Sequence, residues 1–231
     1  MKPFNRDADM PIVNSDDYHD YVFKDGKLIG EFEQMYQKSN QISWHQDKDP
    51  DRLDCKIALN ILETRAPYQS ILDVGCGLGY FTNEISKFCK EKRSTFGIDI
   101  SPAAVRKAQK LFPRIRFEVL DISEDLMNKT GRGRRSYDLV IVRGLFWYVF
   151  PKIKKVCQNI VDLIDKKGYI LVQQNFPPPN SNFVGKEVLP NPETLLSYFK
   201  SKIDEIVVNY LEDNKQNQSN DNWIYMFGVK K

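Results

Sequence analysis

The chain has 231 residues, enough for one sizeable core and short for two full domains, so a single domain with attached segments is expected. Its 34 basic and 31 acidic side chains leave a net charge of only +3, which gives no strong nucleic-acid signal. Cys55, Cys76, Cys89 and Cys157 lack Cys-x-x-Cys spacing, the stretch from Met1 to Met10 has no apolar signal core, and no apolar run would span a bilayer; zinc, a disulfide framework, secretion and a membrane span are therefore not expected, and a cytoplasmic protein with reduced thiols is expected.

Lys2 to Gly30 is rich in Asp, Asn and Tyr and shows little periodicity, with a turn expected at Lys24-Asp25-Gly26-Lys27. Phe32, Met35 and Tyr36 have helical spacing within Glu31 to Lys38, and Ser39 to Asp49 reads as irregular. Asp51 to Ala66 is a stronger helix, with Leu53, Ile57, Leu59, Ile61 and Leu62 forming a stripe ahead of Pro67.

The run Ile71-Leu72-Asp73-Val74 is a buried strand that enters Gly75-Cys76-Gly77-Leu78-Gly79, after which a helix is predicted over 80–91. Glycines at alternate positions allow positive φ and close approach of a ligand to the peptide groups, and the helix start aims free N–H groups at that ligand. Tyr80 stands where a dinucleotide fingerprint needs a small residue, so NAD is disfavoured; no Lys-Ser or Lys-Thr pair follows, so a Walker A loop is disfavoured too.

Downstream, strands and helices alternate: strand 94–98, helix 102–111, strand 115–119, strand 136–142, helix 152–165 and strand 168–174. Such alternation predicts parallel strands with right-handed crossovers. The first of these strands runs into Asp99, placed as a ribose-binding carboxylate would be, and the second is followed by Asp121-Ile122. Between 115–119 and 136–142 lies the basic cluster Gly131-Arg132-Gly133-Arg134-Arg135, read as a solvated loop. Asn175 to Val188 is expected to be a proline-stiffened loop. A helix over 192–200, a strand over 203–211, a polar hairpin loop over 212–222 and a strand over 223–229 complete the chain.

Asp73, Gly75, Gly77 and Gly79, with Asp99 and Asp121 in order behind them, resemble the class I S-adenosylmethionine-dependent methyltransferases, whose first motif is Asp-x-Gly-x-Gly-x-Gly. The resemblance covers about residues 50 to 175 and is most specific over 71 to 82. It implies a Rossmann-like, doubly wound α/β sheet of seven mostly parallel strands in the order 3-2-1-4-5-7-6. Residues 51–231 would form the cofactor-binding domain and 1–50 a cap. It implies S-adenosylmethionine as cofactor and S-adenosylhomocysteine as product. The residues expected around the cofactor are Asp73, Gly75, Cys76, Gly77, Gly79, Asp99, Ile100, Asp121, Ile122 and Arg143, with Tyr36 and Trp44 from the cap.

Methyl transfer from an activated donor needs a nucleophile held in line and water excluded; strong acids and bases are optional. His45, one of two histidines, is the candidate base, in the cap stretch Ser43-Trp44-His45-Gln46. Trp147 and Tyr148, after the fourth sheet strand, and Asn175 are expected beside the acceptor. Arg143 could equally pair an anionic substrate group or a nearby carboxylate. No metal is expected. The predicted activity is methylation of oxygen or nitrogen on a small molecule, with a weak resemblance around Phe32 to Tyr36 and Trp44-His45 to methyltransferases of sugars and surface polysaccharides. The alternatives are an RNA or protein methyltransferase, or a cofactor-binding protein without catalysis.

Overall fold

The computed structural model describes residues 15, 17–124, 135–178, 181–213 and 221–231. A small hairpin, β1 (Phe23–Lys24) and β2 (Lys27–Leu28), precedes one large sheet of β3 (Ile71–Val74), β4 (Thr95–Asp99), β5 (Arg116–Val119), β6 (Tyr137–Arg143), β7 (Ile164–Phe176), β8 (Ile203–Asp213) and β9 (Asp221–Lys230). The sheet order is β5-β4-β3-β6-β7-β9-β8. Counting only its own strands, that is the expected 3-2-1-4-5-7-6. β9 runs antiparallel to both neighbours, while the β5-to-β7 pairings are parallel.

The central strands read as near-continuous apolar runs because both sheet faces are covered. On one face Leu72, Val74, Val140, Val142, Ile170 and Val172 meet Ile153, Val156, Cys157 and Ile160. On the other, Ile71, Leu139, Ile141 and Leu171 meet Cys55, Ala58 and Leu62 of α2 (Leu53–Glu63) and Phe81 and Ile85 of α3 (Tyr80–Ile85). The period-two alternation along each strand thus divides the core into two layers. All four cysteines are buried and free.

Local signals set several element ends. Ser101 caps α4 (Pro102–Leu111) by accepting a hydrogen bond from the Ala104 N–H at 3.1 Å, with Pro102 in the first turn. Asp25 (φ 49°) and Gly26 (φ 72°) make the turn of the β1–β2 hairpin where the sequence predicts one. Several boundaries differ from expectation. α3 ends at Ile85 and continues only as a 3-10 turn over Ser86–Phe88, because the chain must turn back to pair Tyr68 with Cys89. Ser43–Asp51 is 3-10 helix, interrupted at Trp44 and His45, rather than irregular chain. β7 extends through Asn175 and Phe176, which pair with Trp223 and Asn222 of β9. A short helix, α5 (Phe146–Val149), follows β6 ahead of α6 (Ile153–Asp162); α7 (Pro192–Ser197) comes later.

α1 (Phe32–Lys38) docks the N-terminal segment on the start of α4. Its Glu33 Oε2 accepts from Ser101 Oγ at 2.6 Å and from the Ala103 N–H at 2.8 Å, placing a carboxylate at a helix N-terminus. Of the basic cluster at 131–135, only Arg135 lies among the described residues, as do only Glu212, Asp213, Asp221 and Asn222 of the predicted 212–222 loop. Among the described residues, no helix is long and apolar enough to cross a membrane.

Candidate active site

β3 feeds directly into a turn in which Gly75, Gly77 and Gly79 have φ of 77°, 53° and 80°. Side chains rarely adopt such values, so the sequence Gly-Cys-Gly-Leu-Gly is what lets this strand turn so sharply. The turn is stitched to β4. The Gly75 and Cys76 N–H groups both donate to the Ile98 carbonyl, at 2.8 and 3.0 Å, and the Gly77 N–H donates to Asp99 Oδ2 at 3.0 Å. Asp99 Oδ1 accepts from the Ser101 N–H at 2.9 Å. Burial raises the Asp99 pKa and these backbone donors oppose the rise. Each carboxylate oxygen keeps acceptor capacity for a diol.

Beneath the turn, Asp73 is 3% exposed and accepts the Thr82 hydroxyl at 2.6 Å. Burial pushes its carboxyl up to about 6, with the Thr82 hydrogen bond pulling the other way. Beyond β5, Asp121 Oδ1 accepts from the Ser123 N–H at 2.8 Å, and Ile122 is buried beside it. Asp73, Asp99 and Asp121 all open on one cavity of about 820 Å³ at the carboxyl ends of the parallel strands. That is where open α/β sheets take ligands, and the volume falls in the range of small-molecule and cofactor sites.

N-terminal residues border the cavity from the other side. Trp44 (φ 55°, ψ 19°) and His45 (φ 50°, ψ 41°) are consecutive left-handed residues, a conformation that costs about 1–3 kcal/mol each for side chains of this kind. The turn brings Gln46 onto the glycine loop, where its Oε1 accepts from the Leu78 N–H at 2.9 Å and its Nε2 donates to the Tyr36 hydroxyl at 3.3 Å. A Cβ on Gly77 would meet Gln46 Oε1 at 2.6 Å and the Tyr36 hydroxyl at 2.8 Å, so the third residue of the turn must lack one. The Trp44 ring lies 5.5 Å from Tyr18, 6.3 Å from Tyr36 and 5.6 Å from Tyr148 of α5, making an aromatic wall. His45 is exposed at the cavity edge, 6.5 Å from the Tyr18 ring.

Arg143, the last residue of β6, is held by the chain's own carboxylates. Its Nη1 and Nη2 donate to Asp49 at 2.9 and 3.1 Å, its Nη2 also donates to Asp54 at 3.0 Å, and the guanidinium lies 4.9 Å from the Phe81 ring centre. Burial works against its charge, and Asp49, Cys55 and Asp54 outweigh burial, so its pKa rises. Of the two pairings open to Arg143 from sequence, the local carboxylate is the one present, although the side chain also borders the cavity. Trp147 donates its indole N–H to the Asn175 carbonyl at 2.9 Å and packs edge-on against Phe176 and Phe183.

Of the site residues expected from sequence, Tyr36, Trp44, His45, Asp73, Gly75, Cys76, Asp99, Ile100, Asp121, Ile122, Arg143, Trp147, Tyr148 and Asn175 border this cavity; Gly77 and Gly79 shape the turn without lining it. Tyr18, Gln46 and Asp49 join them without having been singled out. For Gln46 the one available signal is its place next to Trp44-His45. The residues fit an adenosyl cofactor: a turn with glycine at alternate positions, a buried carboxylate fixed by two backbone donors, a second strand-end aspartate beside apolar Ile122, and aromatic rings opposite.

A family model described as a methyltransferase domain matches residues 67–220. Nodulation protein S of Sinorhizobium fredii is 26% identical over 137 residues, 54% of this chain and 59% of that protein. Malonyl-[acyl-carrier protein] O-methyltransferase of Acetivibrio thermocellus is 38% identical over 81 residues, 34% of this chain and 26% of the relative. The chain thus spans between about a quarter and three-fifths of the length of these curated relatives. In fold, it is similar to the N-methyltransferase NodS from Bradyrhizobium japonicum WM9, solved with S-adenosylhomocysteine, at a TM-score of 0.63 and 17% identity over 83% of this chain and 93% of that one. The stretch matched by the family begins just ahead of β3 and takes in the glycine turn and both strand-end aspartates, and the chain belongs to this methyltransferase-domain family.

Proposed function

We propose that the protein transfers a methyl group from S-adenosylmethionine to an oxygen or nitrogen of a small molecule, a sugar or nucleotide-linked metabolite being the acceptor class. The observation that carries this reading is the single cavity shared by the strand-end aspartates and the aromatic cap. The relatives named above include an N- and an O-methyltransferase, so both acceptor atoms are in scope. The cofactor, when bound, supplies a methyl group already activated by its sulfonium centre.

On this reading Asp99 accepts the ribose hydroxyls, while Asp121 and Ile122 flank the adenine. The glycine turn keeps Cβ atoms away from the ligand, and Gln46 and Tyr36 hold the cap against it. Trp44, Tyr148 and Trp147 offer flat apolar faces suited to the C–H face of a sugar ring or a base. Asn175 would provide hydrogen bonds beside them, and Arg143 would act by holding Asp49 and hence the cap. On the same reading His45, at the cavity edge, would take a proton from a hydroxyl acceptor. Residues 1–50 serve as the cap and 51–231 as the cofactor-binding domain.

Incubation with methyl-labelled S-adenosylmethionine and a panel of nucleotide sugars, free sugars and small amines tests the acceptor class. Labelled product from a sugar or nucleotide sugar is expected, with His45→Gln lowering the rate about a hundredfold if the acceptor is a hydroxyl. Label appearing instead only in added RNA or protein would overturn the small-molecule assignment.

A further inference from the structure

A second concavity lies at the other end of the sheet. It measures about 340 Å³ and is bordered by Arg93, Gln109, Pro113, Arg114, Ile115, Arg116, Phe117 and Glu118. Phe96 pairs in register with Arg116 at the start of β4 and β5, whereas Asp99 closes β4 beside the methyl-transfer cavity. Arg114 and Arg116 thus lie at the amino end of β5, whereas the methyl-transfer cavity opens at the carboxyl ends of the strands.

The charge balance of this pocket is unlike that of the chain. Over the whole sequence, 34 basic and 31 acidic residues nearly cancel. Here Arg93, Arg114 and Arg116 face one acid, Glu118, and its carboxylate is already engaged by Arg135 at 3.2 Å. Among the described residues Arg93, Arg114 and Arg116 have no ion-pair or hydrogen-bond partner. The pocket's one amide, Gln109, donates inward to the Ile115 carbonyl at 3.2 Å, so its amide N–H is turned to the backbone. Arg116 is also held in place: its guanidinium lies 5.4 Å from the Phe96 ring centre, with Arg135 at 5.7 Å from the same ring. Like charges gathered in one concavity repel, and an anion relieves that repulsion.

Planar guanidinium groups match phosphate oxygens two at a time, and the concavity is the size of a small ligand rather than an extended track. We propose that the pocket formed by Arg93, Arg114 and Arg116 binds a phosphorylated small molecule of the pyrophosphate or nucleoside diphosphate class, separately from the methyl-transfer cavity. The site does not depend on the identity of the methyl acceptor.

Calorimetric titration with pyrophosphate, and in parallel with a nucleoside diphosphate and a short RNA oligonucleotide, tests it on the full chain. Pyrophosphate binding that weakens with added salt is expected, and Arg114→Ala combined with Arg116→Ala should weaken it about tenfold or more. The same double variant should bind S-adenosylhomocysteine as the parent does, which shows that it is folded. Tighter binding of the nucleoside diphosphate than of pyrophosphate, lost in the same variant, would assign the nucleotide as the source of the phosphate. Absence of binding by parent protein, binding indifferent to both substitutions, or binding of the oligonucleotide alone would each overturn the proposal.

Discussion

At the scale of a single residue, Asp73 ties protonation to stability. Its folded pKa of about 6 lies above the ordinary 3.8, so the folded state holds its proton over a pH range in which the unfolded state has lost it. Stability contributed by that proton is present below about pH 4 and lost as the pH rises towards 6, amounting to about 3 kcal/mol across the interval. Asp73→Asn keeps an acceptor for the Thr82 hydroxyl without ever ionising. Urea unfolding from pH 4 to 7 should show the variant gaining on the parent as pH rises, by up to that amount, and two parallel curves would contradict the assignment. The adjacent Asp99 was legible in the sequence because its partners are local to a motif: the Gly77 and Ser101 N–H groups come with the strand-turn-helix pattern. Gln46 was not, since the Leu78 N–H it caps lies 32 residues away and its place next to Trp44-His45 does not say what it binds.

Between elements, the joint that matters is Asp49 to Arg143. It ties the 3-10 segment Ser43–Asp51 to the end of β6 through side chains 94 residues apart in sequence. Both are largely buried, so removing one leaves the other charge without its partner in a poor solvent for it. Asp54 still pairs with Arg143 in Asp49→Ala, which moderates the loss to about 2–3 kcal/mol in denaturant titration. Arg143→Met with Asp49→Leu, which removes both charges together, should recover part of that loss; a double variant no better than Asp49→Ala would show that the joint acts through packing alone. β4 and α4 could be drawn from sequence to within a residue or so because strand periodicity, the Ser101 cap and Pro102 all act locally. The 3-10 segment could not. Its two left-handed residues are maintained by contacts of Trp44 and Gln46 with distant elements, against the local preference of the chain.

At the scale of the molecule, the described residues form a doubly covered sheet whose parallel strands open at their carboxyl ends on a cavity also bordered by Tyr36, Trp44 and Gln46. Alternating strands and helices pointed to parallel strands with right-handed crossovers, whereas the strand order and the antiparallel final pair came from the family resemblance. The fit of cap to sheet did not follow. It depends on a cluster of Tyr18, Phe23, Phe32, Trp44 and Tyr148 whose members are scattered along the chain and share no period. The central claim is that this cavity is a cofactor site built on Asp99 and the glycine turn. Calorimetric titration with S-adenosylhomocysteine, on the parent and on Asp99→Ala, tests it most directly. Micromolar binding by the parent and a loss of about 1.5–3 kcal/mol in the variant are expected, for the hydrogen bonds to a charged group that are removed. A folded parent that binds no S-adenosylhomocysteine, or a variant that binds it as tightly as the parent, would contradict it.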